Sequence, residues 1–235
     1  MTVSEVMEQL AKMGSEQTKK VLLNHGAKEP FFGVKIGDMK AIQKKVKKDY
    51  KLSLDLFNTG NYDAMYLAGL IADEKQMTKA DLQHWAEKSN SYAISEYTVA
   101  WIAAESNFGF ELAKEWVLSG EEKIATAGWS TLSSLVAIKP DAELDMDYLS
   151  KALDTVGSTI HQAQNRVKYS MNSFVIAVGS YVEDLAEKAA AIAKKVGPVT
   201  VFMGNTACKV PLAEQYIDKV IKMGKFGNKK KMARC

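Results

Sequence analysis

Apolar residues recur at helical spacing along most of the chain. Met39, Ile42, Val46 and Tyr50 fall at i, i+3, i+7 and i+11, and a second run between 167 and 182 follows the same spacing. A period near 3.6 residues, with the apolar side chains on one face, is typical of amphipathic α-helices. The pattern therefore predicts an all-α chain with about twelve helices of roughly 10–17 residues each.

Capping residues and prolines mark the ends of these helices. The segments Thr2–Glu5, Thr78–Asp81 and Ser119–Glu122 resemble capping boxes, in which a hydroxyl and a carboxylate bond the first free amides of a helix. The four prolines all lie between periodic segments. Helices are predicted to start near Thr2, Ser15, Gly37, Ser53, Tyr62, Thr78, Ser91, Phe108, Glu122, Leu144, Ser158, Glu183 and Pro211.

The helices are separated by short breaks, so sequential neighbours are expected to pack antiparallel. The helix-break-helix unit recurs about every 30–45 residues, a period typical of HEAT-like arrays. Gly69, Gly128 and Gly179 lie inside apolar helical patterns. Glycine costs about 1 kcal/mol relative to alanine in a helix, so helices are expected to pack closely there. The predicted fold is a HEAT-like helical-repeat solenoid over residues 1–223, followed by a basic C-terminal tail, 224–235.

One segment departs from the helical pattern. Residues 199–203 and 206–210 alternate β-branched and apolar residues around the turn dipeptide Gly204-Asn205, and Pro198 and Pro211 bracket them. Two such runs joined by two turn residues are typical of a β-hairpin. The sequence therefore predicts one small β-hairpin insertion at about 199–210.

Positive charge is concentrated in two segments. From Lys209 to the C-terminus there are eight basic residues against two acidic ones, and seven lysines stand against two aspartates between Lys35 and Lys51. The net charge of the whole chain is only +3. Localised positive charge can mark contact with a polyanion. Two solvated surfaces would give the same pattern, and charge alone leaves both interpretations open.

The remaining composition bears on location and cofactors. No apolar run reaches the ~20 residues that a membrane span needs, and the first residues do not resemble a signal peptide. Cys208 and Cys235 are expected to be free thiols in a reducing compartment, which favours the cytoplasm. The three histidines are scattered, so no metal site is predicted. No cofactor-binding motif is found.

Several segments resemble the AlkC/AlkD-type DNA alkylation repair family. They are Phe32–Lys40, the basic helix that follows to Lys51, Tyr62–Ala72, Arg166–Phe174, Met203–Pro211 and the basic end from Gly227. The resemblance covers nearly the whole chain. It implies a curved array of HEAT-like helix pairs whose positively charged concave face holds duplex DNA.

Active members of that family hydrolyse the N-glycosidic bond of N3- and N7-alkylated purines. The resemblance implies that they need a carboxylate in a Trp-x-x-x-Asp segment and a further tryptophan on a later helix. A carboxylate can stabilise the oxocarbenium-like sugar, and aromatic faces attract the cationic base.

This sequence differs from that pattern at the matching positions. Ala93 stands where the first tryptophan is expected, Tyr97 where the aspartate is expected, and Ser170 near the later tryptophan. Thr126 falls near an arginine of the family's DNA groove. Glu96 is the remaining catalytic candidate, but one residue on a helix is a rotation of about 100°.

Candidate DNA-binding residues form two helical stripes and two further groups. Lysines on one face can neutralise several phosphates, and polar donors suit phosphate and sugar oxygens. The first stripe comprises Lys40, Lys44, Lys47, Lys48 and Lys51, with Lys35 before it; the second comprises His161, Asn165, Lys168 and Asn172, with Arg166 beside it; Lys209 and the tail lysines Lys229, Lys230 and Lys231 complete the set.

Three functions are compatible with these observations. The first is a DNA-binding protein that recognises branched or distorted DNA through its backbone, with little or no base excision. The second is a glycosylase for N3- and N7-alkylated purines that uses Glu96 or another acid in a shifted register. The third is a protein-protein scaffold, because helical-repeat arrays often bind other proteins on their concave surfaces.

Overall fold

The computed structural model describes residues 1–234, of which about two-thirds are helical. Cys235, the second predicted thiol and the last residue of the predicted tail, lies outside the described residues. The α-helices are α1 (Val3–Met13), α2 (Glu16–Asn24), α3 (Ile36–Val46), α4 (Tyr50–Asn58), α5 (Tyr62–Ile71), α6 (Lys79–Lys88), α7 (Ala100–Glu105), α8 (Gly109–Trp116), α9 (Glu122–Ile138), α10 (Met146–Thr159), α11 (Asn165–Tyr181), α12 (Ala186–Val196) and α13 (Ala213–Lys222). A π-helical segment, Ile94–Val99, runs directly into α7, and three short 3₁₀ turns precede α10, α11 and α12.

The helices form two layers. The helices α4, α6, α8, α10 and α12 make one layer, and α5, the π-helix with α7, α9, α11 and α13 make the other. Helix α3 packs beside α5 and extends the second layer towards the N-terminus. This arrangement is the HEAT-like array that the sequence predicts. Within residues 1–234, no helix combines the length and the apolar composition that a membrane crossing requires.

Two of the three predicted capping boxes form. Thr2 caps α1 and Thr78 caps α6, each paired reciprocally with the carboxylate three residues later. The third prediction is wrong, because α9 begins without a side-chain cap. Its first residue, Glu122, instead accepts a hydrogen bond of 2.7 Å from the backbone amide of Arg166 on α11.

Close helix packing explains the glycines inside the apolar patterns. A Cβ on Gly128 of α9 would lie 2.9 Å from the Trp116 Cβ and 2.7 Å from the Val117 amide nitrogen. Gly69 of α5 is equally close to the Thr98 side chain. These positions let neighbouring helices approach without a side chain between them, as predicted.

The segment between α12 and α13 contains no β-strand, so the predicted hairpin at 199–210 is wrong. A turn does occur at Gly204, whose φ is +74°. The flanking backbone groups, however, bond partners outside the segment. The Asn165 amide side chain pairs with both the N–H and the C=O of Phe202, at 2.7 and 2.9 Å, and the Asn205 N–H bonds the carbonyl of Asn24 at 3.0 Å. The result is an irregular loop, 197–212, docked on α2 and α11.

Helix α11 starts later than predicted. The sequence pattern places its start near Ser158, but α10 extends to Thr159 and a 3₁₀ turn, Ile160–Gln162, follows. Helix α11 then begins at Asn165. The reason lies in α10, whose apolar face continues through Val156 and Ile160, both buried.

The segment Phe32–Val34 is fixed by a buried carboxylate. Asp63 of α5 accepts three backbone hydrogen bonds, from Phe32 at 2.6 Å and from Gly33 and Val34 at 3.1 Å each. Gly33 has a φ of +79°, and a Cβ there would meet the backbone of α2 and its cap at 2.7 Å. Glycine is therefore required at this point, and α3 is oriented by the anchored segment.

The C-terminal residues cross the second layer as an ordered strap, 224–234. Backbone amides of the strap bond the carbonyls of Ser180 on α11 and Ala137 on α9 at 3.0 and 2.7 Å. Farther on, Arg234 donates to the carbonyl of Ala72, just after α5, at 2.8 Å. The carboxyl ends of α5, α9 and α11 therefore lie along one edge of the molecule, and the strap follows that edge.

Candidate nucleic-acid interface

The two lysine-rich segments of the sequence meet at one groove. This basic groove has a volume of about 680 Å³ and lies between the end of α3, the end of α9 and the C-terminal strap. Its charged lining residues are Lys44, Lys47, Lys48, Lys139, Lys231, Arg234, Glu74, Glu105 and Glu143. Segments about 180 residues apart in sequence thus contribute to one surface.

The acidic residues of the basic groove are all paired. Glu74 contacts Lys48 and Arg234, each at 2.5 Å. Glu105 receives Arg234 as well, at 2.6 Å, and Glu143 lies 3.3 Å from Lys139. These pairs leave a second set of cations unpaired.

Three lysines of the basic groove make no ion pair within residues 1–234. They are Lys44 and Lys47 at the end of α3 and Lys231 in the strap, and all three are exposed. Exposed and unpaired ammonium groups in a concave surface are suited to phosphate oxygens. The groove therefore carries an uncompensated positive charge.

The other predicted DNA-binding lysines have different environments. Lys35, Lys40 and Lys51 are exposed but do not line the groove. Lys229 pairs with Asp141 at 2.6 Å and also donates to the carbonyl of Val136 at 2.8 Å. The further lysines are Lys168, half-buried on α11, Lys209, exposed in the 197–212 loop, and Lys230, exposed in the strap.

Polar residues of the predicted stripe on α11 bond other parts of the protein. His161 lies in the 3₁₀ turn before the helix, where its Nε2 is 3.0 Å from the carbonyl of Val196. Asn165 holds the 197–212 loop through Phe202. Asn172 is 1% exposed and donates to the carbonyl of Pro211 at 3.0 Å. The polar groups of this stripe thus bond neighbouring loops of the protein.

Arg166 and Glu96 form a buried ion pair at the start of α11. The guanidinium Nε and Nη2 donate to the two carboxylate oxygens at 2.7 and 2.8 Å. The rings of Tyr92 and Tyr169 lie 3.9 and 4.4 Å from the guanidinium carbon. The sulfur of Met203, from the 197–212 loop, is 3.2 Å from Nη1. The pair is thereby enclosed by three elements of the fold.

The π-helix determines which side chains of its segment are buried. Ser95, Glu96 and Thr98 face the interior, whereas Tyr97 is 39% exposed. A π-helical turn inserts an extra residue into the helical register and is frequent at functional sites. Burial raises the pKa of Glu96 to about 7, against the opposing effect of the Arg166 guanidinium. Burial also raises the pKa of the Tyr97 hydroxyl.

The positions predicted to match the family's catalytic residues have no free carboxylate. The Tyr97 ring lies 5.4 Å from that of Trp101. Ser170 is 1% exposed, and its hydroxyl donates back to carbonyls of its own helix. Glu96 is 5% exposed and both of its oxygens are occupied by Arg166. Thr126 is buried, near the start of α9.

The four tryptophans belong to the hydrophobic core. Trp85, Trp101, Trp116 and Trp129 are all buried, as expected for core residues. Within residues 1–234, no group of three or more His, Cys, Asp or Glu side chains is arranged to hold a metal ion.

The Glu96–Arg166 pair and the Asp63 anchor are not visible in the sequence pattern. The two members of the pair are 70 residues apart, and Asp63 lies about 30 residues from the segment that it holds. One signal was available for each: an acidic residue inside an otherwise apolar helical run is rarely fully buried unless it is paired. That rule identifies both carboxylates but not their partners.

A two-layered helical array with a basic groove on one edge defines a HEAT-like repeat protein. The sequence model of the family described as DNA alkylation repair enzyme matches residues 6–210. The chain belongs to this family.

Relatives of similar length support the assignment. The uncharacterized protein Lmo0209 of Listeria monocytogenes is 32% identical over 223 residues, which cover 93% of this chain and 96% of the relative. Lin0241 of Listeria innocua is 31% identical with the same coverage. A solved structure with a TM-score of 0.92 and 40% identity covers 100% of both chains. It is described as a new family of proteins related to the HEAT-like repeat DNA glycosylases with affinity for branched DNA structures.

Proposed function

We propose that this protein binds branched or distorted DNA through its phosphate backbone and performs little or no base excision. The observation that carries the proposal is the convergence of the two lysine-rich segments on one groove. Among the described residues, 1–234, Lys44, Lys47 and Lys231 have no ion-pair partner, while every glutamate of the groove is neutralised by a neighbour. Backbone contacts carry no sequence information, so selectivity would come from the shape of the DNA.

The preference for branched DNA is supported by the structural relative. That protein has affinity for branched DNA structures and matches this chain over its full length at 40% identity. The cations of the basic groove come from separate elements, the end of α3 and the strap. A branch point presents duplex arms in different directions, and cations on two elements of one groove can contact two of them at once.

The expected low excision activity follows from the burial of Glu96 and its pairing with Arg166. A carboxylate stabilises an oxocarbenium-like sugar only if it can approach the sugar and remains charged. Glu96 is 5% exposed, and Arg166 already neutralises it through two hydrogen bonds. Tyr97, the exposed side chain next to it, has no carboxylate. The local chemistry therefore favours binding over glycosidic hydrolysis.

Binding to a four-way junction and to a linear duplex of the same sequence tests the proposal. The junction is expected to bind at least about tenfold more tightly, a difference of about 1.4 kcal/mol. Affinity for both should fall steeply with salt, and Lys44→Ala and Lys231→Ala should each reduce the log-log salt slope by about 0.9.

Lys151→Ala is the matched control for these variants. Lys151 is an exposed lysine on α10, in the opposite layer, and should leave the slope unchanged. Equal affinity for junction and linear duplex would reject the preference for branched DNA. A slope that Lys44→Ala and Lys231→Ala leave unaltered would exclude the basic groove as the phosphate-binding surface.

A further inference from the structure

A second large cavity lies between α11 and α13, on the other side of the strap from the basic groove. This tyrosine pocket has a volume of about 840 Å³. Helix α11 contributes one face, with residues at positions 169, 173, 176, 177 and 180, and α13 contributes positions 216, 219, 220 and 223. Both sets follow helical spacing, so each helix presents a continuous stripe to the cavity.

The lining of the tyrosine pocket combines aromatic and basic side chains without an acidic one. Its charged and aromatic residues are Tyr169, Tyr181, Tyr216, Lys219, Lys225 and Lys230. The basic groove, in contrast, contains three glutamates. A cavity with three cations and no carboxylate is suited to an anionic ligand, and the tyrosines add flat apolar surfaces for a planar ring.

Tyr216 is the most accessible aromatic surface of the pocket. It is 45% exposed and makes no ring or cation contact within residues 1–234. Tyr169 already packs against the Arg166 guanidinium, and Tyr181 lies 5.9 Å from the Lys230 ammonium. Tyr216 therefore has a ring face available for stacking, beside Lys219 one turn along α13.

Two lysines of the pocket lining are also available. Lys219 and Lys225 are exposed, and neither forms an ion pair in the part of the chain that the structure describes. Single-stranded nucleic acids are bound by this combination, in which a base stacks on an aromatic side chain and lysines hold the adjacent phosphates. Paired bases cannot stack in this way, because both of their faces are covered within the duplex.

We infer that the tyrosine pocket receives an unpaired nucleotide of a DNA branch point, with its base on Tyr216 and its phosphates on Lys219 and Lys225. The inference rests on the proposed function, since the pocket would select junctions whose strands contain unpaired bases. The strap residues at 228 and 230 line the pocket as well, and residue 231 lines the basic groove. One strand could therefore pass from the groove to the pocket along the strap.

The test compares two three-way junctions, one fully paired and one with two unpaired thymines at the branch. Wild-type protein is expected to bind the second junction roughly fivefold to a hundredfold more tightly, the range for stacking of one base. Tyr216→Ala should abolish this gain without changing affinity for the paired junction, whereas Tyr216→Phe should keep it.

Lys219→Ala and Lys222→Ala form a matched pair on the same helix. Both lysines are exposed, but only Lys219 lines the pocket. Lys219→Ala should reduce the gain from the unpaired thymines, and Lys222→Ala should not. Circular dichroism of each variant would show that α13 remains folded.

The outcomes separate this inference from the proposed function. Equal binding of the two junctions by wild-type protein would overturn the pocket assignment and leave the proposed function intact. A gain that persists in Tyr216→Ala would also overturn it. If neither junction binds, the proposed function fails, and the pocket is then tested separately with a ten-nucleotide oligothymidylate. Binding that depends on Tyr216 supports the pocket assignment, and absence of binding rejects it.

Discussion

At the residue scale, the Glu96–Arg166 pair holds an acidic side chain in the interior of the protein with both of its oxygens bonded. Breaking a buried pair by removing one partner typically costs about 3–5 kcal/mol, because the other charge is left uncompensated. Replacing both partners by apolar residues is often neutral. We therefore expect that removing either partner alone destabilises the packing between the π-helix and α11.

The raised pKa of Glu96 predicts a pH dependence of stability. The side chain has a pKa of about 7 in the folded protein and an ordinary value of 4.5, so the folded state binds more protons between these values. Its contribution to the free energy of unfolding must then fall as the pH rises from 4.5 to about 7. The stability of wild-type protein relative to Glu96→Gln should decrease over this window.

Urea denaturation of both proteins at several pH values measures the difference. Subtracting the two curves removes the contributions of the other titrating groups. A difference that is constant, or that grows with pH, for Glu96→Gln would contradict the raised pKa.

At the element scale, local sequence signals were sufficient for two of the three predicted capping boxes. The caps of α1 and α6 were predicted because hydroxyl and carboxylate are three residues apart. The 197–212 loop was not, because its backbone is bonded by Asn165, which lies 37 residues before Phe202. An alternating pattern specifies a hairpin only if the two strands are each other's best partners.

Exchange of the Phe202 backbone amide tests the structure of this loop. Its N–H donates to the Asn165 side chain at 2.7 Å. A net hydrogen bond is worth about 1 kcal/mol, so Asn165→Ala should make this amide exchange roughly fivefold faster. Hydrogen exchange followed by NMR gives the rate.

Asn165→Asp provides the matched comparison. It keeps an oxygen that can accept from the Phe202 amide but loses the donor to the Phe202 carbonyl. Protection of the amide should therefore largely persist in Asn165→Asp. Unchanged exchange in Asn165→Ala would mean that the amide is held by a different partner, such as a neighbouring strand.

At the scale of the whole molecule, the strap binds the C-terminal residues to α5, α9 and α11 of the repeat helices. It was predicted as a tail distinct from the repeat domain, and its position against the helices could not be derived from composition. Its cations meet the carboxyl ends of α5, α7 and α9, where unpaired carbonyls and the helix dipole favour positive charge. The buried apolar residues form two clusters, one within residues 6–127 and the other within residues 104–217, and Ala233 packs against both. Part of the basic tail is thus used to hold the fold, and the rest lines the basic groove and the tyrosine pocket.

The two basic segments illustrate what charge alone left open. A solvated surface and a polyanion-binding surface give the same sequence pattern. The difference lies in the pairing: Lys48, Lys229 and Arg234 are neutralised by carboxylates. Lys44, Lys47 and Lys231 have no such partner in the part of the chain that the structure describes. Contacts between residues far apart in sequence decide which cations remain unpaired. For this reason the sequence pattern does not distinguish the unpaired lysines from the paired ones.

The central claim is that the DNA surface is kept while the carboxylate chemistry is not. It is tested most directly by single-turnover release of 3-methyladenine and 7-methylguanine from alkylated DNA, at protein concentrations where all of the DNA is shown to be bound. Losing one stabilising group in a transition state typically costs on the order of 10²–10³ in rate, and Glu96 is neutralised while Tyr97 and Ser170 supply no carboxylate. We therefore expect complete binding with base release that is absent or very slow. Rapid release that disappears in Glu96→Gln would contradict the claim and identify the protein as a glycosylase.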